Sequence, residues 1–134
     1  EAVVERVRQL HLEDRVKFLG YIPDDDMSAV YALSTTLVMP TFFGPTNIPV
    51  LEAWAAGTPV ITSDIRGIHE QVGQAGLLVD PRQPEAWAKA VARLVNDPAL
   101  RSRLIQLGFQ RHQSWGRAQF GAKLGRILER CRTI

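Results

Sequence analysis

The stretch that decides the fold spans residues 36–63 and reads TLVMPTFFGPTNIPVLEAWAAGTPVITS. It begins with an apolar run of strand length, TLVMP (36–40), and ends with a second one, PVITS (59–63). Between them, Pro49 suits the first position of a helix and Gly57 suits its end, so we expect a helix that starts and stops at these residues. Strand, loop, helix and strand in this order predict a parallel β-α-β unit.

The sequence on both sides continues this alternation. VKFLG (16–20) and GLLVD (76–80) are short apolar runs and are predicted strands. Helical periodicity and helix-end residues predict further helices over about 3–12, 24–34, 68–72, 84–96, 98–112 and 116–132. The expected fold is therefore α/β, a Rossmann-like parallel sheet with helices on both faces, because the predicted strands are apolar on both sides.

Composition limits the class of protein. The chain has 134 residues, 46% hydrophobic and 22% charged, which is typical of one soluble globular domain. No apolar run approaches the roughly 20 residues of a membrane span, and the charges of Glu1–Arg8 exclude a signal peptide. Because the chain starts at Glu1, we expect a piece of a longer protein. A lone Cys131 excludes a disulfide framework and is compatible with a cytoplasmic location.

Charge is distributed unevenly along the chain. Residues 1–80 carry a net charge of −6 and residues 81–134 carry +8. The basic residues recur at helical spacing, which favours a solvated helix face, and we expect no nucleic-acid partner. The alternatives are a basic surface for the acidic inner face of a membrane, for an acidic partner domain or for nucleic acid. Binding to membrane or nucleic acid would weaken steeply with salt.

The loop over residues 41–48 is the best candidate for a ligand site. In parallel sheets, ligands bind at the carboxyl ends of the strands. This loop leads into the amino end of the predicted helix, where free N–H groups and the helix dipole favour a phosphate. Gly44 permits close approach of a ligand, and Thr46 and Asn47 supply a hydroxyl and an amide. These two side chains either cap the helix or bind the ligand, and the spacing leaves both open.

Glu52 lies one turn inside the same helix, which is otherwise almost entirely apolar. An isolated buried carboxylate is costly, so Glu52 needs a partner. Two vicinal hydroxyls, each donating one hydrogen bond to the carboxylate, would be such a partner. The alternative is an acid favoured only by the helix dipole, and periodicity does not separate the two.

The motifs together resemble the donor-binding signature of retaining GT-B glycosyltransferases, the group 1 or family-4-type enzymes. The signature segment is Pro40-Thr41, Gly44, Ile48-Pro49-Val50-Leu51-Glu52-Ala53 and Gly57-Thr58-Pro59-Val60-Ile61. The flanking matches are VKFLGYIPDDDM (16–27), SDIRGIHEQVG (63–73), AGLLVDP (75–81) and SWGRAQFGAKLGRILE (114–129). The resemblance covers nearly the whole chain in an ordered series of motifs.

This resemblance implies the carboxyl-terminal domain of a GT-B enzyme that transfers a hexose from a nucleotide sugar, with retention and without a metal or other cofactor, in glycan biosynthesis. Glu52 would bind the ribose hydroxyls, the loop amides would face the sugar and diphosphate, and Ile22 would line the base pocket. The residues so assigned to donor binding are Tyr21, Ile22, Gly44, Pro45, Thr46, Asn47, Ile48 and Glu52. Neither the donor base nor the acceptor follows from these residues.

Two departures from the family pattern qualify this reading. The family has a first glutamate eight positions before Glu52, where this chain has Gly44. That difference motivates an alternative function, a non-catalytic nucleotide-sugar-binding or assembly module. The strand that carries the phosphate-binding Arg and Lys of the family has no match before Val16. We therefore expect residues 1–134 to be the later part of the donor-binding domain, without the acceptor domain and inactive alone.

Other candidate residues receive structural interpretations. Three adjacent acids at a helix start indicate helix capping rather than a metal site: Asp24, Asp25 and Asp26. The histidines, His11, His69 and His112, lack metal-ligand spacing. The tryptophans, Trp54, Trp87 and Trp115, are expected to pack in the core. A stripe of Trp115, Phe120, Leu124, Ile127 and Leu128 on the last helix predicts a core or domain contact rather than membrane insertion.

The missing strands generate a prediction about assembly. In the family they lie between the strands that correspond to VKFLG and TLVMP. Their absence would expose an unpaired strand edge and apolar surface, so we expect the chain to dimerise or to rearrange locally. Light scattering at high protein concentration measures this, and a rigid monomer would contradict it.

Overall fold

The computed structural model describes residues 2–44, 47–114 and 116–132. The helices and strands follow one another as α1 (Ala2–Gln9), α2 (Asp24–Leu33), β1 (Leu37–Met39), α3 (Ile48–Ala55), β2 (Val60–Ser63), α4 (Ile68–Val72), β3 (Leu77–Val79), α5 (Pro84–Asn96), α6 (Pro98–Gln113) and α7 (Arg117–Arg132).

The strands form a parallel sheet in the order β1-β2-β3. Leu37 pairs with Val60, and Ile61 pairs with Leu77. Helix α3 connects the first pair of strands and α4 connects the second, which confirms the predicted β-α-β units. All four residues of β2 are buried, as expected for a central strand between two neighbours.

The core lies on both faces of the sheet. Successive residues of a strand point to opposite faces, and neighbouring residues of β2 belong to separate clusters. Val60 packs with Trp54 of α3 and Val72 of α4. Ile61 packs on the other side with Val79, Trp87, Leu94 and Leu104, which come from β3, α5 and α6. The predicted helices on both faces are therefore confirmed.

The predicted strand VKFLG (16–20) is wrong. These residues form no strand, and Phe18 and Leu19 are 57% and 64% exposed. Val16 instead donates its N–H to the Leu12 oxygen at 2.9 Å, within a local turn. A strand needs a hydrogen-bonded neighbour, and within the described residues β1 pairs only with β2. The segment has the composition of a strand but lacks a partner.

The last three helices end within two residues of their predicted bounds. Asp97 caps α6 by accepting a hydrogen bond from the Leu100 N–H at 2.8 Å. The expected core contact of α7 is wrong, because its apolar stripe of Phe120, Leu124, Ile127 and Leu128 is exposed. Contact of this stripe with another domain stays a prediction. The predicted packing of Trp115 lies outside the described residues.

Helices α3 and α6 pack against each other where Gly108 of α6 contacts Trp54 of α3. Trp54 is 1% exposed, and its indole N–H donates to the Ala75 oxygen at 3.2 Å. Gly108 of α6 lies against this ring, so closely that a Cβ at residue 108 would lie 2.5 Å from the Trp54 Cδ1. The buried position of Trp54 therefore depends on the missing side chain at 108. Trp54 and Trp87 confirm their predicted packing roles.

We expect Gly108→Ala to destabilise the chain. Alanine gains about 1 kcal/mol in helix propensity. Overpacking against the buried indole costs about 1–3 kcal/mol, so a net loss of up to about 2 kcal/mol should appear in urea denaturation. Gly121→Ala on α7 is the matched control, since nothing lies within 4 Å of its Cβ. Equal effects of the two substitutions would contradict the proposed contact.

Candidate functional site

The candidate site lies at the carboxyl ends of β1 and β2, where two loops are tied together. The Thr41 N–H donates to Ser63 Oγ at 2.8 Å, and the Thr62 hydroxyl donates to the Met39 oxygen at 3.3 Å. A cleft of about 490 Å³ opens at this edge and is lined by Phe42, Phe43, Gly44, Ile65, Arg66, Gly67 and Glu70. The position agrees with the rule that ligands bind where parallel strands end.

The amino end of α3 borders this cleft and is not capped by the residue in the N-cap position. Asn47 has the extended backbone usual for an N-cap, but its side chain makes no capping hydrogen bond. It turns instead toward Gly44, where a Cβ would lie 2.9 Å from Asn47 Oδ1. Asn47 is 6% exposed, and its Nδ2 has no hydrogen-bond partner among the described residues. Unpaired donors at a helix amino end favour an anion.

Gln71, which no sequence motif indicated, holds the loop in this position. Its side-chain Oε1 accepts the Asn47 N–H at 2.8 Å, and its Nε2 donates to the Asn47 oxygen at 3.0 Å. The main-chain N–H of Asn47 is thereby occupied, which leaves the side-chain amide for a ligand. Gln71 shares a helix face with the buried Ile68, and a polar residue on that face is the signal that could have identified it.

Glu52 has a protein partner, Tyr31 of α2. The Tyr31 hydroxyl donates to Glu52 Oε2 at 3.0 Å. Glu52 is exposed and is the fifth residue of α3, past the first turn in which the dipole acts strongly. Among the described residues, Glu52 Oε1 has no partner, so it remains available to a ligand.

Burial fixes the state of Tyr31. Its side chain is 8% exposed, and its main-chain oxygen accepts the Thr58 hydroxyl at 2.6 Å. Burial first, and then the hydrogen bond and the negative charge of Glu52, raise the pKa of Tyr31 to about 12. Tyr31 therefore stays neutral and keeps donating to Glu52 across the physiological pH range.

The other residues assigned to donor binding are placed as follows. Ile48 is the first residue of α3 and is exposed, and Gly44 is half-buried at the cleft. Tyr21 is exposed and Ile22 is half-buried. In the ranges that the structure describes, no hydrogen bond links either of them to Asn47 or Glu52. Their assignment stays a prediction, and Pro45 and Thr46 lie outside the described residues.

The acidic cluster does not cap α2 through side chains. Its N-cap is Pro23, and Asp24, Asp25 and Asp26 occupy the first turn, where the dipole favours acids. The capping interpretation is thus wrong in its detail.

Within the described part of the chain, no group of three His, Cys, Asp or Glu residues could hold a metal ion. His69 Nδ1 lies 2.6 Å from Asp64 Oδ1 in an exposed pair.

Comparison with known proteins identifies the family. A family model described as glycosyl transferases group 1 matches residues 1–111. The chain belongs to this family. A D-inositol 3-phosphate glycosyltransferase of Salinispora tropica is 35% identical over 120 residues, 86% of this chain and 25% of that protein. The O-antigen chain mannosyltransferase B of Escherichia coli is 36% identical over 89 residues, 66% of this chain and 23% of that protein. The chain therefore spans about a quarter of the length of these relatives.

Solved structures confirm the fold of this group 1 glycosyltransferase chain as GT-B. A sucrose-phosphate synthase from Thermosynechococcus elongatus superposes with a TM-score of 0.84 at 29% identity, over 98% of this chain and 34% of that chain. HepE from Anabaena, solved in complex with UDP-glucose, superposes with a TM-score of 0.83 at 20% identity, over 96% of this chain and 36% of that chain. No helix among the described residues is long and apolar enough to cross a membrane.

The raised pKa of Tyr31 predicts a loss of stability in alkali. The folded pKa of about 12 exceeds the reference value of 10.0. The stabilisation is therefore complete below pH 10 and is lost as the pH rises through 12, by about 2–3 kcal/mol. Urea denaturation between pH 9 and 12 measures it. Tyr31→Phe should remove this pH dependence, whereas Tyr21→Phe, at an exposed tyrosine, should retain it. Identical pH profiles for all three proteins would contradict the assignment.

Proposed function

We propose that this group 1 chain binds the nucleotide-sugar donor of a retaining glycosyltransferase. The observation that carries the proposal is the arrangement along α3. Asn47 Nδ2, which has no partner among the described residues, lies at its amino end, where no side chain caps the first turn, and the carboxylate of Glu52 follows on the same helix. Four residues of helix span about 6 Å, a distance that a ribose and its 5′-diphosphate can bridge. The diphosphate then lies at the helix end and the ribose hydroxyls bond to Glu52.

The transfer reaction belongs to the whole protein. We propose that it moves a hexose with retention and needs no metal, with the leaving diphosphate stabilised by N–H donors and the helix dipole. Relatives that are named as a mannosyltransferase and as inositol-phosphate glycosyltransferases support a sugar-transfer role. Glu52 acts in this scheme as a ligand of the ribose and does not transfer a proton.

A second candidate function, a non-catalytic module that binds nucleotide sugars, is favoured by Gly44. Asn47 Oδ1 lies 2.9 Å from the position that a Cβ at residue 44 would take. A sugar-binding carboxylate at this position would therefore require Asn47 to move. Sugar transfer by the full-length protein would exclude this candidate. Both functions use the same nucleotide site.

We also propose a cytoplasmic location with peripheral contact to the acidic inner face of a membrane. The support is the charge of +8 over residues 81–134. The exposed apolar stripe of α7, with arginines on the same helix, fits an interfacial helix.

The ribose assignment is testable with Glu52→Gln and deoxynucleotides. Glutamine still accepts the Tyr31 hydrogen bond, so the fold should persist, but the negative charge that binds the hydroxyls is lost. We expect NMR titrations with UDP, GDP and ADP to identify the base and to show about tenfold weaker binding to the variant. In the parent chain, the matching 2′-deoxynucleotide should also bind about tenfold more weakly.

The decisive comparison combines both changes. If Glu52 bonds the 2′-hydroxyl, the deoxynucleotide and its parent nucleotide should bind Glu52→Gln almost equally, because the two losses share one contact. Glu85→Gln, an exposed acid in the first turn of α5, is the matched control and should bind as the parent chain does. Additive losses would place the hydroxyl contact elsewhere, and no chemical-shift change with any nucleotide would reject a donor site on this chain.

A further inference from the structure

Gln71 is a polar side chain in an apolar position. It is 1% exposed and lies on α4 between Ile68 and Val72, both fully buried. An unpaired buried amide would destabilise the fold. Gln71 avoids this by bonding both main-chain polar groups of one residue, Asn47, which is 24 positions away in the sequence. The side-chain amide thus makes the two hydrogen bonds to Asn47 that the main chain of a neighbouring strand would otherwise make.

Two bonds to a single residue restrict its rotation as well as its position. One bond alone would let the loop pivot about it. The pair fixes the peptide groups on both sides of Asn47, and therefore the direction in which its side chain leaves the backbone. Oδ1 is directed to the bare Cα of Gly44, and Nδ2 remains an unpaired donor among the described residues.

The loop clamp, formed by the two hydrogen bonds between Gln71 and Asn47, is itself held by Arg111. Arg111 of α6 donates from Nε to the Gln71 oxygen at 2.9 Å and from Nη2 to the Glu70 oxygen. Helix α4 has five residues and lies between Gly67 and Gly73, both with positive φ, so it makes few hydrogen bonds of its own. Arg111 satisfies two of its last carbonyl oxygens and connects the ligand loop, through α4, to the longer α6.

We infer that Gln71 is a positioning residue for the ligand site: its side-chain amide holds Asn47 so that Oδ1 does not cap α3 and Nδ2 faces an oxygen of the bound ligand. The nature of that ligand, a nucleoside diphosphate, rests on the proposed function. A residue of similar size without the amide would fill the same space in the core, so packing alone does not require glutamine here.

The test uses two substitutions at position 71 in the 134-residue chain. Gln71→Met keeps the volume and loses both bonds. Gln71→Glu depends on its protonation state: a neutral carboxylic acid accepts and donates as the amide does, whereas the ionised form does not donate. Burial raises the pKa of such a carboxyl group. Its protonation should therefore restore the clamp when the pH is lowered.

We expect Gln71→Met to bind UDP, GDP or ADP at least tenfold more weakly than the parent chain at pH 7. Gln71→Glu should bind more weakly than the parent at high pH and approach the parent as the pH falls, with the parent titrated at each pH to account for ionisation of the nucleotide. Circular dichroism verifies that each variant is folded. Gln106→Met, at an exposed glutamine of α6, is the control and should change nothing.

Amide hydrogen exchange separates this inference from the donor proposal. The Asn47 N–H should exchange slowly in the parent and at least tenfold faster in Gln71→Met, with Ile61 in β2 as the reference. If the parent binds no nucleotide but Asn47 loses protection in the variant, the donor proposal fails and the loop clamp stands. A folded Gln71→Met that protects Asn47 as the parent does, or that binds nucleotide within twofold of it, would overturn the inference.

Discussion

One buried side-chain amide connects the ligand loop to the rest of the domain. The described residues between β1 and α3 form no strand or helix, so their polar main-chain groups need partners from elsewhere. Gln71 provides two of them to Asn47, and the Thr41 N–H finds a third in Ser63 Oγ. Both partners come from β2 and the segment that follows it. The loop therefore takes its shape from the neighbouring β-α unit, and the site exists only when β1 and β2 are paired.

A second contact places the other half of the site. Tyr31 bonds Glu52 through its hydroxyl and is held by Thr58 through its main-chain oxygen, so α2 is joined to the middle of α3 and to the segment that follows α3. Because Tyr31 remains neutral, it donates to one carboxylate oxygen and leaves the other to a ligand. The helix amino end and Glu52 thus belong to one rigid helix, and their spacing does not depend on loop motion.

Local signals in the sequence predict most of this fold. Pro49 and Gly57 locate α3, and Pro84 and Pro98 locate α5 and α6, because helix ends are encoded by adjacent residues. Features that need a distant partner escape such reasoning. VKFLG has strand composition but no neighbour to pair with, and Gln71 acquires its role from a contact 24 residues away.

The same limit applies within the site. Sequence alone identified Asn47 and Glu52 as polar groups at a helix start, but it left open whether they cap the helix or bind a ligand. Their contacts narrow these alternatives. The Asn47 side chain does not cap α3, and Glu52 accepts a hydrogen bond from the Tyr31 hydroxyl. The resemblance to group 1 enzymes implies the chemical identity of the ligand, whereas geometry at this edge favours only an anion near the helix amino end.

Electrostatics determines how strongly such a site can bind by itself. The helix dipole contributes about 1 kcal/mol to an anion, and hydrogen bonds to charged groups contribute about 1.5–3 kcal/mol each. The loss of ligand freedom on binding costs about 4 kcal/mol or more, so contacts from Asn47 and Glu52 alone support binding weaker than a Kd of about 1 mM. Arg66 is the one cation lining the described cleft, and it is exposed. Tight binding of the proposed donor would therefore need more positive charge than this cleft holds, and the matched part covers only about a quarter of each relative.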